Sequence, residues 1–258
     1  MAFSERYSRQ IVFKEIGEEG QEKLRNSKVV VIGMGALGTV IANNLCRAGV
    51  GHLRLVDRDL VEISNLQRQT IYNERDVRHN LPKAVAAVQH LQKVNSEITL
   101  EPVVNDVNSG NMEKLMEGMD LVLDGTDNLE TRFLINDACH KHNLPWIYGG
   151  ALMSSGMTMN IIPGETPCIR CISPDLPGPG SYPTCSTAGV LGMITGIIAS
   201  LESAEAMKIL IGSPKVSKSL CMVDVWENNI YYLEVKKSPE CPTCGQGHYD
   251  FLNKNKGS

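Results

Sequence analysis

The stretch Lys28-Val29-Val30-Val31-Ile32-Gly33-Met34-Gly35-Ala36-Leu37-Gly38 decides the fold of this chain. Its first five residues are a nearly unbroken β-branched run, the pattern of a strand buried on both faces. A Gly-x-Gly-x-x-Gly turn then leads into a helix pattern over 36–48, where Leu37, Val40, Ile41, Leu45 and Ala48 form one apolar stripe ending before Gly49. Gly33 permits the tight turn, Gly35 lets the backbone approach phosphate without a Cβ, and Gly38 allows close packing of helix on strand. The free N–H groups and the dipole at the helix start attract phosphate.

Outward from this unit, strand and helix patterns alternate. Residues 50–56 read as a strand that stops at Asp57, 83–93 as a helix, 99–104 as a strand and 119–123 as another. A helix through 132–142 and a strand at 145–148 follow. Such alternation means βαβ units, so the expected class is α/β: a Rossmann-like, mainly parallel sheet with helices on both faces. From Pro163 to Cys185 the chain is crowded with proline and glycine and forms a crossover loop rather than a regular element. A long helix over 188–211 and an antiparallel hairpin (220–226 with 230–235) come next, and the tail after Asp250 reads as polar and frayed. The expected organisation is one domain over 1–258: an N-terminal helical arm (1–27), a nucleotide-binding core (28–162), the crossover loop (163–187) and a final part (188–250).

The composition excludes several classes. With 42% hydrophobic and 21% charged residues among 258, the chain has a real core and is not disordered. A net charge of −4 argues against general nucleic-acid binding, which needs a basic surplus. No apolar stretch of membrane-spanning length lacks charges, and the first residues show no signal peptide, so a cytoplasmic protein is expected.

The glycine turn alone does not name the nucleotide. Asp57, 19 positions after Gly38, falls where a ribose-binding carboxylate belongs. An NAD-dependent oxidoreductase would share both features, but no nicotinamide-side residues are evident. The chain instead supplies Arg6 and Arg9, then Ser64-Asn65-Leu66-Gln67-Arg68-Gln69, then Lys83 at a helix start. Cations on three separated segments suit a triphosphate and the charge on a departing pyrophosphate. Asp127, in Gly125-Thr126-Asp127-Asn128 after a strand, lies at the carboxyl edge and suits Mg²⁺ held against those phosphates. None of the six histidines has an evident partner.

The pairs Cys168-Ile169-Arg170-Cys171 and Cys241-Pro242-Thr243-Cys244 are two Cys-x-x-Cys knuckles. Four thiolates from two knuckles suit a closed, structural tetrahedral Zn²⁺ site, with a disulfide or redox pair as the rival reading. Cys46, Cys139 and Cys221 lie within helix or strand patterns and are expected in the core.

Taken together, Arg6-Tyr7-Ser8-Arg9-Gln10, Gly33 to Gly38, Asp57-Arg58-Asp59, Ser64 to Gln69, Pro82-Lys83, Thr126-Asp127-Asn128 and the cysteine pairs resemble the ThiF/MoeB/HesA family, relatives of ubiquitin-activating enzymes. The resemblance implies adenylylation, with Mg·ATP, of the C-terminal glycine carboxylate of a small ubiquitin-fold sulfur carrier ending in Gly-Gly. It implies a nucleotide site drawn from Gly33, Gly35, Gly38, Asp57, Asp59, Ser64, Asn65, Gln67, Arg68, Lys83, Asp127 and Asn128. Asp57 would hold the ribose, Asn65, Arg68 and Lys83 the phosphates, and Asp127 Mg²⁺. Arg9 would reach across a homodimer interface, and 188–250 would bear the carrier and the zinc. Cys185 stands where some members join the carrier through sulfur, although a partly buried, inert thiol is an equal reading. With no sulfurtransferase-type region after Cys244, sulfur is expected from a separate sulfurtransferase or cysteine desulfurase. An ATP-dependent tRNA-modifying enzyme of the same superfamily is the alternative, which the acidic composition disfavours. One departure is the longer approach to the lysine, Arg78-His79-Asn80-Leu81-Pro82-Lys83, which lacks the family's usual glycine.

Overall fold

Residues 5–176, 178 and 184–254 are described by the structure, a computed structural model of the chain. Its centre is one eight-stranded sheet: β1 (Lys28–Ile32), β2 (His52–Val56), β3 (Thr99–Val103), β4 (Leu121–Asp124), β5 (Trp146–Leu152), β6 (Ser155–Ile161), β7 (Leu220–Asp224) and β8 (Asn229–Leu233), in the order β3-β2-β1-β4-β5-β6-β7-β8. The first five in that order run parallel, and β6, β7 and β8 add antiparallel. Val29 and Val31 of β1 face one apolar layer, while Val30 and Ile32 face the other, as the unbroken run requires.

The glycine-turn helix Ala36–Ala48 and the long helix Gly192–Ile211 pack on each other, and the long helix also covers β5 and β6. Helix Leu129–Lys141 belongs to the opposite layer. Among the described residues, no helix is long and apolar enough to cross a membrane.

Register places the site. Ile32 lies beside Val56 on one side and Asp124 on the other, so β1, β2 and β4 end level. Gly33, Asp57 and Gly125 therefore emerge together at the carboxyl edge, between β1 and β4, where the strand order reverses and ligands of open α/β sheets bind.

Several expectations need correction. The strand expected over 145–148 runs on to Leu152 and turns back as β6, which the sequence reading lacks. Gly149, Gly150, Ser154, Ser155 and Gly156 look like turn residues, yet they lie in or beside a hairpin. Two of these glycines are there for space. A Cβ at Gly149 would fall 1.8 Å from Glu202 Oε1, and one at Gly156 2.5 Å from Ile198. The long helix starts at Gly192 rather than 188, because Gly189 takes a left-handed φ of +78° and ends the short helix Cys185–Ala188. The end of the chain is not frayed at 250–253. Asp250–Asn253 is a helix with Leu252 fully buried and Phe251 edge-on to Phe133, ring centres 5.1 Å apart.

Gly38 is the tightest residue of the turn: a Cβ there would lie 1.9 Å from the Gly33 carbonyl oxygen. Gly38→Ala is expected to destabilise the protein by about 3 kcal/mol or more, since backbone must shift. Gly35→Ala meets protein atoms no closer than 3.7 Å and should leave the fold intact. Thermal unfolding of the two variants side by side checks this contrast.

Candidate nucleotide site

The glycine turn is built by backbone contact. Gly33 takes φ +89° and donates its N–H to Val56 O at 2.8 Å, while a Cβ on it would meet Gly125 backbone at 2.7 Å. Gly125 is equally confined, with Gly33 O 2.3 Å from where its Cβ would be. Gly35 differs, because only Gly125 O at 3.7 Å and Gln69 Nε2 at 3.9 Å come near its missing Cβ. Its bare backbone serves the open side of the turn, where the first N–H groups of helix Ala36–Ala48 carry partial positive charge.

Asp57 grips this turn. Its Oδ2 accepts the Met34 N–H at 2.7 Å and its Oδ1 accepts the Asp59 N–H at 2.8 Å. Burial lifts the Asp57 carboxyl above the usual carboxylate range, and Lys83 and the two N–H donors pull it partly back. Lys83 opens its helix, Lys83–Leu91, and is nearly buried; its Nζ lies 3.0 Å from Asp59 Oδ2, and its N–H donates to Asp59 O at 2.8 Å. The long approach to Lys83 holds a short helix, Glu74–Arg78, closed by a capping box between Asn73 and Asp76. The longer loop still delivers the amine to the cradle.

In the segment 64–69, Ser64 and Gln67 are exposed and Asn65 is buried, its Nδ2 3.3 Å from Ser64 Oγ. Arg68 donates from Nη1 to Ser64 O at 3.1 Å and its backbone lies against Gly192, so the segment is wedged between the glycine turn and the long helix. Gln69, quoted in the sequence motif but given no role, is buried with its Oε1 unpartnered.

Asp127 is exposed, and among the described residues its carboxylate makes no hydrogen bond or ion pair. The helix cap beside it is Asn128, whose side chain accepts the Thr131 N–H at 2.9 Å. That duty leaves Asp127 free for a cation and occupies Asn128's side-chain oxygen. Arg6 and Arg9 part company. Arg6 donates to Val94 O at 2.7 Å and pairs with Glu97, so it anchors the arm at home. Arg9 is exposed and makes no side-chain bond among the described residues.

A buried charge group that local sequence pattern does not reveal lies under the Asp127 loop. Asp124 ends β4, accepts Thr126 N–H and hydroxyl at 2.8 and 2.7 Å through Oδ1, and pairs through Oδ2 with Arg132 Nε at 2.8 Å. Arg132 also donates to Thr126 O and Gly149 O and lies over the Tyr148 ring. Its only sequence signal was an Asp and an Arg flanking the Gly-Thr-Asp-Asn string. Three of the six histidines pair with carboxylates, His52 with Glu101, His90 with Asp76 and His142 with Glu113, bracing neighbouring elements, whereas His140 Nε2 is buried without a hydrogen-bond partner among the described residues.

Cys168, Cys171, Cys241 and Cys244 come together, their four Sγ atoms all within 4.8 Å of one another. The pairs Cys168–Cys241 and Cys171–Cys244 stand 3.5 and 3.4 Å apart, too far for disulfides and close to the ~3.8 Å that four thiolates adopt around tetrahedral zinc. The cluster could hold a metal ion, and its donor set fits zinc. Buried Asp137 secures it, accepting from Thr243 Oγ1 at 2.7 Å and Phe251 N–H at 2.9 Å. Cys46, Cys139 and Cys221 are core residues, as expected. The side chain of Cys185 lies outside the described residues.

Glu202, on the long helix, is fully buried against Gly149 with both carboxyl oxygens unpartnered. Burial, with Asp124 nearby, pushes its pKa well above the ordinary value of 4.5, although Arg132 opposes the shift. The folded protein thus keeps a proton that the unfolded chain releases, so this residue's contribution falls as pH rises above the ordinary value. Glu202→Gln is expected to gain thermal stability over the parent progressively from pH 4 to pH 8. A stability difference constant across that range would refute a buried, protonated Glu202.

Comparison with known proteins agrees with this geometry. Residues 7–243 match the model of the ThiF family. The chain is 40% identical over 250 residues to the sulfur carrier protein ThiS adenylyltransferase of Bacillus subtilis, covering 96% of this chain and 74% of the relative. It is 38% identical over 249 residues to the SAMP-activating enzyme E1 of Haloferax volcanii, covering 96% of this chain and 91% of that one. A crystal structure of E. coli MccB with MccA-N7isoASN superposes with a TM-score of 0.83 at 24% identity over 95% of this chain and 75% of its own, a likeness of fold. A strand–glycine-turn–helix cradle with Asp57 and Lys83, on a sheet of this order, matched by that family model over nearly its whole length, makes this chain a member of the ThiF family.

Proposed function

We propose that this chain is an ATP-dependent adenylyltransferase acting on the C-terminal carboxylate of a small ubiquitin-like sulfur carrier. The observation that carries the proposal is the cradle of Gly33 to Gly38, Asp57 and Lys83 at the sheet's switch point, in a chain whose 40%-identical relative is named for adenylylating such a carrier. Asp57 and Asp59 would face the ribose, and the helix start, Ser64, Asn65, Gln67, Arg68 and Lys83 the phosphates. Asp127, uncommitted among the described residues, would take Mg²⁺ together with phosphate oxygens, and the neighbouring Asn128 would border it. Mg²⁺ supplies charge neutralisation on the leaving pyrophosphate when bound.

The carrier's terminal carboxylate is already ionised at neutral pH, so no protein base is needed. One of its oxygens bonds to the α-phosphorus as the bond to the bridging oxygen breaks and pyrophosphate leaves with the electron pair. The chain's contribution is alignment and positive charge, from Arg68 and Lys83 in particular. Arg9, exposed and without a side-chain partner among the described residues, would complete the site of a second copy in a homodimer. The edge strand β8 is exposed along its whole length and carries Ile230, Tyr231, Tyr232 and Leu233, beside Trp226 at 74% exposure. An edge unpaired among the described residues, with exposed apolar side chains on both faces, supports docking of the carrier on residues 188–250. The cysteine cluster would hold structural Zn²⁺. Cys185 would serve later sulfur chemistry, with sulfur delivered by a separate sulfurtransferase or cysteine desulfurase, and the setting would be cytoplasmic. The two relatives named above are a sulfur carrier adenylyltransferase and a SAMP-activating enzyme, which favours this reading over the tRNA-modifying and NAD-dependent ones.

ATP–pyrophosphate exchange is expected only when a Gly-Gly-ended ubiquitin-fold protein is present, and Arg68→Ala should lower it by about two orders of magnitude or more with unchanged fold. Exchange equally fast without a carrier would sink the proposal. Elemental analysis is expected to find about one zinc per chain, lost in Cys241→Ser together with several degrees of thermal stability.

A further inference from the structure

Tyr72 lies outside the Ser64 to Gln69 string and has no place in the roles given above. It is buried, yet its hydroxyl reaches two backbone carbonyls of the nucleotide cradle, Met34 O at 2.9 Å and Lys83 O at 3.1 Å. These belong to segments far apart in sequence, the glycine turn and the first residue of the lysine's helix.

The two carbonyls are already parts of one circuit. The Met34 N–H goes to Asp57 Oδ2, Asp57 Oδ1 accepts the Asp59 N–H, and Asp59 in turn takes both the Lys83 N–H and the Lys83 ammonium. Tyr72 closes this circuit from the other side by bridging Lys83 O back to Met34 O. The peptide groups on both sides of Met34 are thus held, the N–H of one by a carboxylate and the C=O of the next by a phenol. Burial, with Asp57 and Asp76 nearby, keeps the phenol protonated far above neutral pH, so it stays a donor. A phenylalanine would fill the same space in the apolar layer beside Tyr72 but remove the one O–H proton that the two carbonyls share, and with it the link between the two segments.

We propose that Tyr72 is a positioning residue for ATP: its hydroxyl sets the spacing between the phosphate-binding glycine turn and Lys83 before the nucleotide arrives. The inference rests on the adenylyltransferase reading. Its physical content is preorganisation, because two groups that hold one triphosphate bind it more tightly when their separation is already correct. One hydrogen bond's worth of preorganisation, about 1 kcal/mol, corresponds to a roughly fivefold to tenfold change in affinity.

The test is Tyr72→Phe in the full chain, with Mg·ATP binding measured by calorimetry and carrier-dependent exchange measured in parallel. The ATP dissociation constant is expected to rise about fivefold to tenfold, while KM for the carrier stays within about twofold. In a Lys83→Ala background, where there is no amine to position, the same substitution should change ATP affinity by less than about twofold. A general loss of stability would not produce this selectivity, and circular dichroism establishes that each variant is folded. Unchanged ATP affinity in the folded variant would overturn the inference, as would an undiminished effect in the Lys83→Ala background. Since the binding measurement needs no carrier, wild-type chain that binds ATP without adenylylating any carrier would overturn the functional reading alone.

Discussion

Gly33, Gly38 and Gly125 meet backbone to backbone at the carboxyl ends of β1 and β4, with no room for a Cβ on any of them. This contact sets how closely the glycine-turn helix approaches the sheet and where the chain leaving β4 must pass. The candidate site hangs from it. Level strand ends bring Asp57 beside the turn, and Gly125 carries Thr126 and Asp127 to the same edge. Two apolar layers, one on each face of the sheet, supply the cohesion that holds three bare backbone segments so close.

The same edge carries ionisable side chains that a core would ordinarily exclude. Arg132 and Asp124 form a buried pair, and Glu202 is buried behind Gly149 with no hydrogen-bond partner among the described residues. Burying an ion pair costs desolvation energy that the pair's attraction does not reliably recover, so stability alone does not account for it. What the pair does is geometric. Arg132 fastens Thr126 O to Gly149 O while Asp124 fastens the Thr126 N–H and hydroxyl, so the loop bearing Asp127 has little freedom. Local cost at a site that needs rigidity is the usual place for sequence and stability to disagree.

Helix Leu129–Lys141 connects the two centres of the molecule. Its start is capped by Asn128 next to Asp127, and its Asp137 holds Thr243 of the cysteine cluster and Phe251 of the terminal helix. The cysteine cluster therefore braces the helix whose first turn borders the proposed Mg²⁺ position. A structural metal here would stiffen the frame without touching the chemistry.

Local patterns in the sequence determined β1, the glycine turn, helix Ala36–Ala48, the two cysteine knuckles and the placement of Asp57. Each depends on residues a few positions apart, where side-chain period and glycine chemistry speak directly. The β5–β6 hairpin was hidden because its glycines resemble turn residues, whereas they make room for Glu202 and Ile198 from a helix more than forty residues on. Arg6 and Arg9 look alike in the sequence, and only packing separates the one bonded to Val94 and Glu97 from the one left exposed. Phe251 and Leu252 looked like part of a polar tail until Phe133 and Asp137 gave them something to dock on. Tyr72 and the Asp124–Arg132 pair belong to the same class. Their partners are distant in sequence, and a hydrogen bond between distant segments leaves no periodic trace, so tertiary structure alone decided how the nucleotide cradle is held together.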